Sequence, residues 1–286
     1  IADFKNTPKR FWSFLKAVKL STVLPSVLFF GGKSAATNHE KANLLNECFG
    51  SKFSVPSDRN LPLPFCEDLG LSALNHMTVS SDRVGSLLSG LDRSKACGPD
   101  NLSGFILREC ADALAIPLSV IFNKCLHAGV FPRRWKDATV IPVHKKGPRN
   151  QAGNYRSVSL LPIVSKVFEK ILCDAFVQHI SSVISPSQHG FVPRKSCVTN
   201  LCEFMFYATA AMQSKAQLDV IYTDFSSAFQ SVDHRFLLHK LQTSFGVSGQ
   251  MLSLFGSYLA QRRQRVVLDG VTSEWCPVAS GVPEGS

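Results

Sequence analysis

Apolar positions recur at helical spacing along most of this chain, and they predict a series of amphipathic helices with a few strands between them. In 8–20, Phe11, Phe14, Leu15 and Val18 keep the i, i+3, i+4, i+7 spacing of one helix face. A second such face runs through 38–53, with Ala42, Leu45, Cys48, Phe49 and Phe53 on one side. Around 79–91, Ser80, Ser81 and Asp82 make a sensible helix start, and Val84, Leu87, Leu88 and Leu91 form the buried side. The pattern in 102–129 predicts two helices separated near Pro117, with Gly129 as the C-cap. Val164, Val167, Phe168, Ile171, Leu172 and Ala175 mark the inner face of a helix over 164–180, and another helix covers 199–212. Near the end, Asp233 starts a helix with Phe236, Leu237, Leu241 and Phe245 inward and Gly246 as its stop, and 248–259 supplies one more.

Strand signals are fewer. Val220, Ile221, Tyr222 and Phe225 make 220–225 read as a buried strand, and 138–144 reads as a second. Asp269–Gly270, between two β-like runs, is among the strongest short hairpin signals. Cys97–Asp100 is a turn fixed by Gly98 and Pro99, in which Asp100 bonds to its own backbone. Residues 56–78, rich in Pro, Leu and Asn, read as a linker or extended packing arm and place a boundary near 57–80.

Composition narrows the classes. With 286 residues and 45% apolar content the chain can build a real core as one large domain or two. A formal charge of +10 favours a polyanionic partner, although basic soluble proteins without one are common. Nine cysteines without a CxxC pair read as reduced thiols of an intracellular protein that is not secreted. Cys197 and Cys202 with His189 lack a second ligand pair, so zinc is not expected. No apolar run reaches the ~20 residues that span a bilayer; the longest, 23–30, is broken by Pro25 and Ser26. Gly31–Gly32–Lys33–Ser34 resembles the end of a phosphate-binding loop, but Val27 stands where the first glycine is required. Because the chain begins at Ile1, it is expected to be a fragment of a longer product.

Two places carry candidate chemistry. Asp224 closes the predicted strand 220–225, ahead of a turn of small residues, Ser226, Ser227 and Ala228. A strand-end carboxylate beside sharply turning backbone suits a hard divalent cation, since Mg2+ takes one or two carboxylates plus substrate phosphates. The plainer alternative is a helix cap. Between 131 and 156, Arg133, Arg134, Lys136, Lys145, Lys146, Arg149 and Arg156 face one acid, Asp137, with Trp135 and Tyr155 interleaved. That composition suits a phosphate-gripping hairpin, or else a solvated edge hairpin whose lysines block pairing. Arg262, Arg263 and Arg265 form a second basic cluster.

Seven segments in order give a further reading: 41–54 (KANLLNECFGSKFS), 94–104 (SKACGPDNLSG), 135–147 (WKDATVIPVHKKG), 154–172 (NYRSVSLLPIVSKVFEKIL), 185–197 (SPSQHGFVPRKSC), 222–234 (YTDFSSAFQSVDH) and 280–286 (SGVPEGS). Together they resemble the reverse transcriptase domain of non-LTR (LINE-type) retrotransposons, nearest the jockey/CR1-like group. The resemblance implies an α+β right-hand polymerase fold with fingers and an incomplete palm, a small antiparallel sheet packed by helices, and the thumb absent. Residues 1–80 would be a helical extension and linker, 81–217 fingers with the start of the palm, and 218–286 the truncated palm.

It also implies roles. Asp224, with the backbone carbonyl of Phe225, would hold metal: two Mg2+ ions in the complete enzyme, or Mn2+. Arg156 and Lys145 would reach the triphosphate, the Ala228 amide would lie beside sugar and phosphates, and Phe229 would be the steric gate that selects deoxynucleotides. Arg133, Arg134, Lys146, Arg149, Arg194, Lys195, Arg262 and Arg263 would contact nucleic acid. The partners implied are an RNA template, a DNA primer and deoxynucleoside triphosphates, with an upstream endonuclease fused in the full element and a nuclear or cytoplasmic location. Departures from the family pattern are Ser157 for Pro, Ser227 and Gln230 for Lys and Asp, and Glu284 for the Gln that positions the nucleotide. A carboxylate beside a triphosphate is unfavourable without a compensating cation. The family's Asp-Asp hairpin would follow Ser286, so the isolated chain is expected to be inactive, or else a nucleic-acid-binding remnant without catalysis.

Overall fold

The computed structural model describes residues 24–53 and 62–283. The helix expected over 8–20 and the Glu284 position lie outside them. The described residues form a mixed α+β arrangement with small sheets and two apolar cores.

The smaller core sits between sheet and helix. β1 (Leu28–Phe30) and β2 (Lys33–Ala35) pair antiparallel across the Gly31–Gly32 turn, where both glycines have positive φ. The sequence element set aside as a phosphate loop is thus a hairpin turn. α1 (Asn38–Gly50) starts on a capping box in which Thr37 and Glu40 satisfy each other's backbone amides. It presses Ala42, Leu45, Cys48 and Phe49 onto Val140, Tyr155, Val266 and Leu268 of the main sheet.

That sheet has the order β4 (Tyr155–Leu160), β3 (Asp137–His144), β5 (Arg263–Leu268), β6 (Val271–Thr272), with β7 (Cys276–Pro277) also pairing β5. β3 and β4 are antiparallel, whereas β3 and β5 are parallel. The sheet is therefore mixed rather than antiparallel as expected. Helices lie between β4 and β5 in the chain, and a crossover of that length permits parallel pairing. Asp269 and Gly270, both at positive φ, turn β5 into β6 as the Asp-Gly signal predicted.

The larger core is helical. α2 (Ser81–Ser89), α3 (Gly104–Glu109), α4 (Ala111–Ala128), α5 (Ile163–Ile180), α7 (His234–Thr243) and α8 (Gly249–Leu259) contribute to it; α6 (Cys197–Gln213) does not. Phe122, Phe131 and Phe168 are fully buried, Phe122 and Phe131 each stacking on Phe168 at 4.7 and 5.7 Å. Each such ring contributes roughly 1.5–3 kcal/mol by leaving water. Helix starts follow their caps: Ser80, Ser103, Ser196 and Asp233 each accept a backbone N–H of the first turn. Gly129, at φ 62°, ends α4 in the left-handed conformation.

The break expected near Pro117 falls instead at Cys110, and Pro117 lies inside α4. Ser103 caps one helix that ends at Cys110, where φ −97° and ψ 16° leave the helical region. The capping signal thus outweighed the missing proline donor. Of the two alternatives for 56–78, the described part, from 62, packs as an arm: Leu74 donates to the carbonyl of Gly246 and accepts from Ser248, and Leu69 donates to Ser244. Gly98 lets the 97–100 turn approach the Leu161 carbonyl, which a Cβ would meet at 2.5 Å.

The largest correction concerns 220–225. This stretch is not a strand: it pairs with no other segment among the described residues, and Ile221, Tyr222 and Phe225 are 88, 83 and 84% exposed. Both edges of β3 are already occupied, by β4 and β5, and an apolar run without a partner edge has nothing to hold it extended. α6, just before it, likewise buries no residue and exposes Leu201, Phe206, Tyr207 and Met212.

Candidate functional site

Two sequence segments that lie far apart along the chain are stitched together. After Asp224 the backbone coils through Ser227, at φ 52°, whose carbonyl accepts from the amides of Gln230 and Ser231. Asp233 then caps α7, accepting from Arg235 and Phe236 at 2.8 and 3.3 Å. Against this coil runs 280–283. Gly281 donates to the Val232 carbonyl (2.8 Å) and Val282 to the Phe229 carbonyl (2.9 Å). The Ser280 hydroxyl donates to the Gln230 carbonyl at 2.6 Å, and His234 Nε2 donates to the Gly281 carbonyl at 2.7 Å. Gly281, at φ 78°, comes so near that a Cβ would lie 2.6 Å from Gln230 Cα. Glycine is required there twice over, for conformation and for space.

Asp224 is exposed, as are Phe225 and Ala228. Asp219 is engaged by the Gln217 amide at 2.8 Å. Among the described residues no three His, Cys, Asp or Glu side chains group as a metal centre. They offer one carboxylate at the expected position, which fits a single ligand to a hard cation but does not make a two-ion site.

Phe229 is 40% exposed and meets Phe191 edge-on, centroids 6.0 Å apart, so the 188–196 loop lies against the coil. That loop is fastened to α6. His189 Nδ1 lies 2.8 Å from Thr199 Oγ1 and Nε2 lies 2.6 Å from Glu203 Oε2, while Ser187 donates to Glu203 Oε1 at 2.7 Å. These bonds hold the Glu203 carboxyl below its ordinary value, the His189 contact most of all. Lys195 donates to the Pro186 carbonyl, and Arg194, at φ 65°, stays exposed. The sequence reading named Arg194 and Lys195 but missed this clasp. His189 and Glu203 are far enough apart along the chain that no motif links them.

The basic hairpin forms. Lys145, Lys146, Arg149 and Arg156 are exposed, and none belongs to an ion pair among the described residues. Strand alternation sets this on β4, where Tyr155 turns into the core and Arg156 turns out. The Tyr155 hydroxyl donates to the Arg149 carbonyl at 2.7 Å, and His144 Nε2 donates to the Gly147 carbonyl, so the turn is braced. Arg133 and Arg134 are exposed on a 3-10 turn before β3. The two aromatics expected to interleave with these charges are turned toward the cores instead, Tyr155 buried and Trp135 half-buried. Trp135 packs on Phe122, Phe131 and Phe168, and Tyr155 is buried, because both complete cores that the helices leave open.

The second basic cluster divides. Arg263 forms a bidentate pair with Asp137 at 3.1 and 2.8 Å and lies over Trp275, as does Arg265. Arg262, expected on the nucleic-acid-facing surface, is 2% exposed and stacks over Tyr258. The strand period of β5 turns alternate residues inward, and Arg262 precedes that alternation at a buried position.

Comparison with known proteins adds a second line. A profile described as reverse transcriptase (RNA-dependent DNA polymerase) matches residues 143–286, just over half of the chain. The RNA-directed DNA polymerase from mobile element jockey of Drosophila melanogaster is 32% identical over 229 residues, 79% of this chain and 24% of that protein. A probable RNA-directed DNA polymerase from transposon BS of the same organism is 25% identical over 90% of this chain and 29% of its own length. A protein of type-1 retrotransposable element R1 from Bradysia coprophila is 28% identical over 73% of this chain and 20% of its own. The chain thus spans between a fifth and a third of the length of these relatives.

Proposed function

Because the chain belongs to the reverse transcriptase family, we propose that it is part of an RNA-directed DNA polymerase of a non-LTR retrotransposon. The observation that carries this reading is the join between 224–234 and 280–283, two motif segments of the matched region, with Ser157 and Ser159 of β4 lining one cavity with Gln230 and Val282. In it, Asp224 and the Phe225 carbonyl provide one set of ligands to a divalent cation, Mg2+ or Mn2+. When bound, such ions activate a primer hydroxyl and neutralise the triphosphate. The described residues alone do not compose the two-ion centre, so Asp224 takes the place of one ligand only.

The remaining roles belong to groups that bind and orient. Arg156 and Lys145, exposed and in no ion pair among the described residues, grip the triphosphate. The Phe229 ring, beside the Ala228 amide, excludes a 2′-hydroxyl. Lys146, Arg149, Arg133 and Arg134 track the phosphate backbone of template and primer, and Arg194 and Lys195 do so from the clasped loop. Glu284, in place of the family's Gln, would need a cation to offset its charge beside a triphosphate. In this reading 81–217 forms the fingers with the start of the palm and 218–286 belongs to the palm. No helix among the described residues is long and apolar enough to cross a membrane.

The test is primer extension on an RNA template with deoxynucleotides, using the full-length element protein. Asp224→Ala is expected to abolish extension, and Phe229→Ala to admit ribonucleotides with deoxynucleotide incorporation retained. Extension that survives Asp224→Ala would refute the assignment. The second reading, binding without catalysis, is favoured by the exposure of the Asp224 segment. It predicts salt-dependent RNA binding by this chain that is unchanged in Asp224→Ala.

A further inference from the structure

Phe191, in the 188–196 loop, is held in a place that ordinary packing does not ask for. Its backbone sits at φ 61°, in the left-handed region that a bulky residue avoids, and its ring is 91% exposed. Both conditions are unfavourable for an apolar side chain, and both persist. Just beyond it, the Lys195 amide donates to the Val192 carbonyl at 3.2 Å and closes a turn with Pro193 and Arg194 at its centre. Arg194 is at φ 65°, where a turn ordinarily takes glycine. The clasp holds this strained loop in shape. His189, its side chain buried, meets Thr199 and Glu203, Ser187 donates to Glu203, and Lys195 donates to the Pro186 carbonyl. These contacts tie the ends of the loop together and to α6, and they leave Phe191 and Arg194 in solvent.

The Phe191 ring stands at 89° to that of Phe229, centroids 6.0 Å apart, and the two make an open aromatic corner. Glu203, the acid of the clasp, is engaged by His189 and Ser187, and Arg194 joins no ion pair among the described residues. An exposed aromatic face beside a cation suits single-stranded nucleic acid, in which a base stacks on the ring while the cation meets phosphate. A double helix keeps its bases stacked on one another and offers the ring no face. We propose that Phe191 is a stacking platform for an unpaired base of single-stranded nucleic acid, with Arg194 on the adjoining phosphate. Because the clasp sets the ring before a strand arrives, less conformational freedom is lost on binding. The proposal rests on the nucleic-acid side of the proposed function and deepens it, adding a base contact where that reading assigns phosphate contacts alone.

The test is binding of oligouridylate by the full chain in EDTA, which keeps metal-dependent steps out of the measurement. Phe191→Gly, which suits the backbone conformation and removes the ring, is expected to weaken binding about tenfold. It is expected to leave the slope of log K against log salt as it was, since no phosphate contact is lost, whereas Arg194→Gln lowers that slope by about 0.7. Phe191→Tyr is expected to keep the affinity. Phe65→Ser, which removes a ring exposed to a similar degree (94%), is expected to keep it too. With 5-iodouridine in the oligonucleotide, irradiation is expected to cross-link Phe191 to a base, which a loop of purely structural role would not do. Unchanged affinity in Phe191→Gly, with cross-links confined to other residues, overturns the proposal and leaves the nucleic-acid reading standing. Absence of binding by the unsubstituted chain overturns both. If Phe191→Gly also lowers the salt slope, the loop has opened and the cross-link position in the unsubstituted chain decides.

Discussion

Glu203 shows how much one side chain determines at this site. It receives His189 and Ser187 from a loop that otherwise touches α6 through few bonds, and its carboxyl is held below the ordinary value of 4.5 chiefly by His189. A carboxyl whose folded pKa is depressed contributes stability above its unfolded pKa and loses it as pH falls through the folded one. The loop is therefore expected to be clasped at neutral pH and to open as pH falls below the ordinary carboxylate range, where Glu203 takes up its proton. Cleavage within 188–196, by trypsin at neutral pH and by an acid-active protease such as pepsin in the acid range, follows the opening. Glu203→Gln, which keeps the shape and removes the charge, is expected to show the faster cleavage already at neutral pH. Equal cleavage rates in the two proteins would mean that the clasp does not hold the loop. Gly281 is the other single position of consequence. Gly281→Ala forces a Cβ into Gln230 at a φ that side chains avoid, and a loss of more than ~1 kcal/mol is expected in denaturant unfolding.

Elements whose reasons are local were legible in the sequence, and those whose reasons are tertiary were not. α7 announced its start through Asp233, α4 its end through Gly129, and the β5–β6 turn its type through Asp269–Gly270, since each signal acts within a few residues. The same logic misplaced the break at Pro117, where two local signals competed and the cap won. It failed at 220–225 because a strand is made by its partner: Val220, Ile221 and Tyr222 have β propensity but no free edge alongside. Among the site residues, exposure of Arg156 followed from strand alternation, whereas burial of Arg262 and the His189–Glu203 contact depended on how distant elements meet. The basic hairpin is the element on which function is most directly measurable. Replacing Lys145, Lys146 and Arg149 by Gln is expected to lower the slope of log K against log salt for single-stranded RNA by about 2. A filter-binding titration from low to moderate salt gives that slope. An unchanged slope would mean that these three charges do not touch phosphates. Stability should hardly move, since no ion pair is lost.

At the level of the whole fold, the chain divides its apolar residues unevenly. Phe122, Phe131 and Phe168 are sealed in the helical core, while α6 and 218–225 hold comparable side chains in water. From Gln217 through Phe229 no backbone amide donates to another backbone group among the described residues, whereas α5 is a continuous ladder. Exchange protection follows such bonds and their burial. Amides of 217–229 are therefore expected to exchange at nearly unprotected rates in this chain, while those of α5 exchange only by global opening. Phe168→Ala, costing about 3–5 kcal/mol, is expected to speed exchange in α5 and leave 217–229 unchanged. The same measurement on the full-length element protein separates two accounts of the segment that carries Asp224. If its β propensity is met there by another strand edge, amides 218–225 become protected and Asp224 is fixed at the end of a strand, as a metal ligand requires. If they stay unprotected, Asp224 sits on a coil in the longer protein too, and the binding reading gains over the catalytic one.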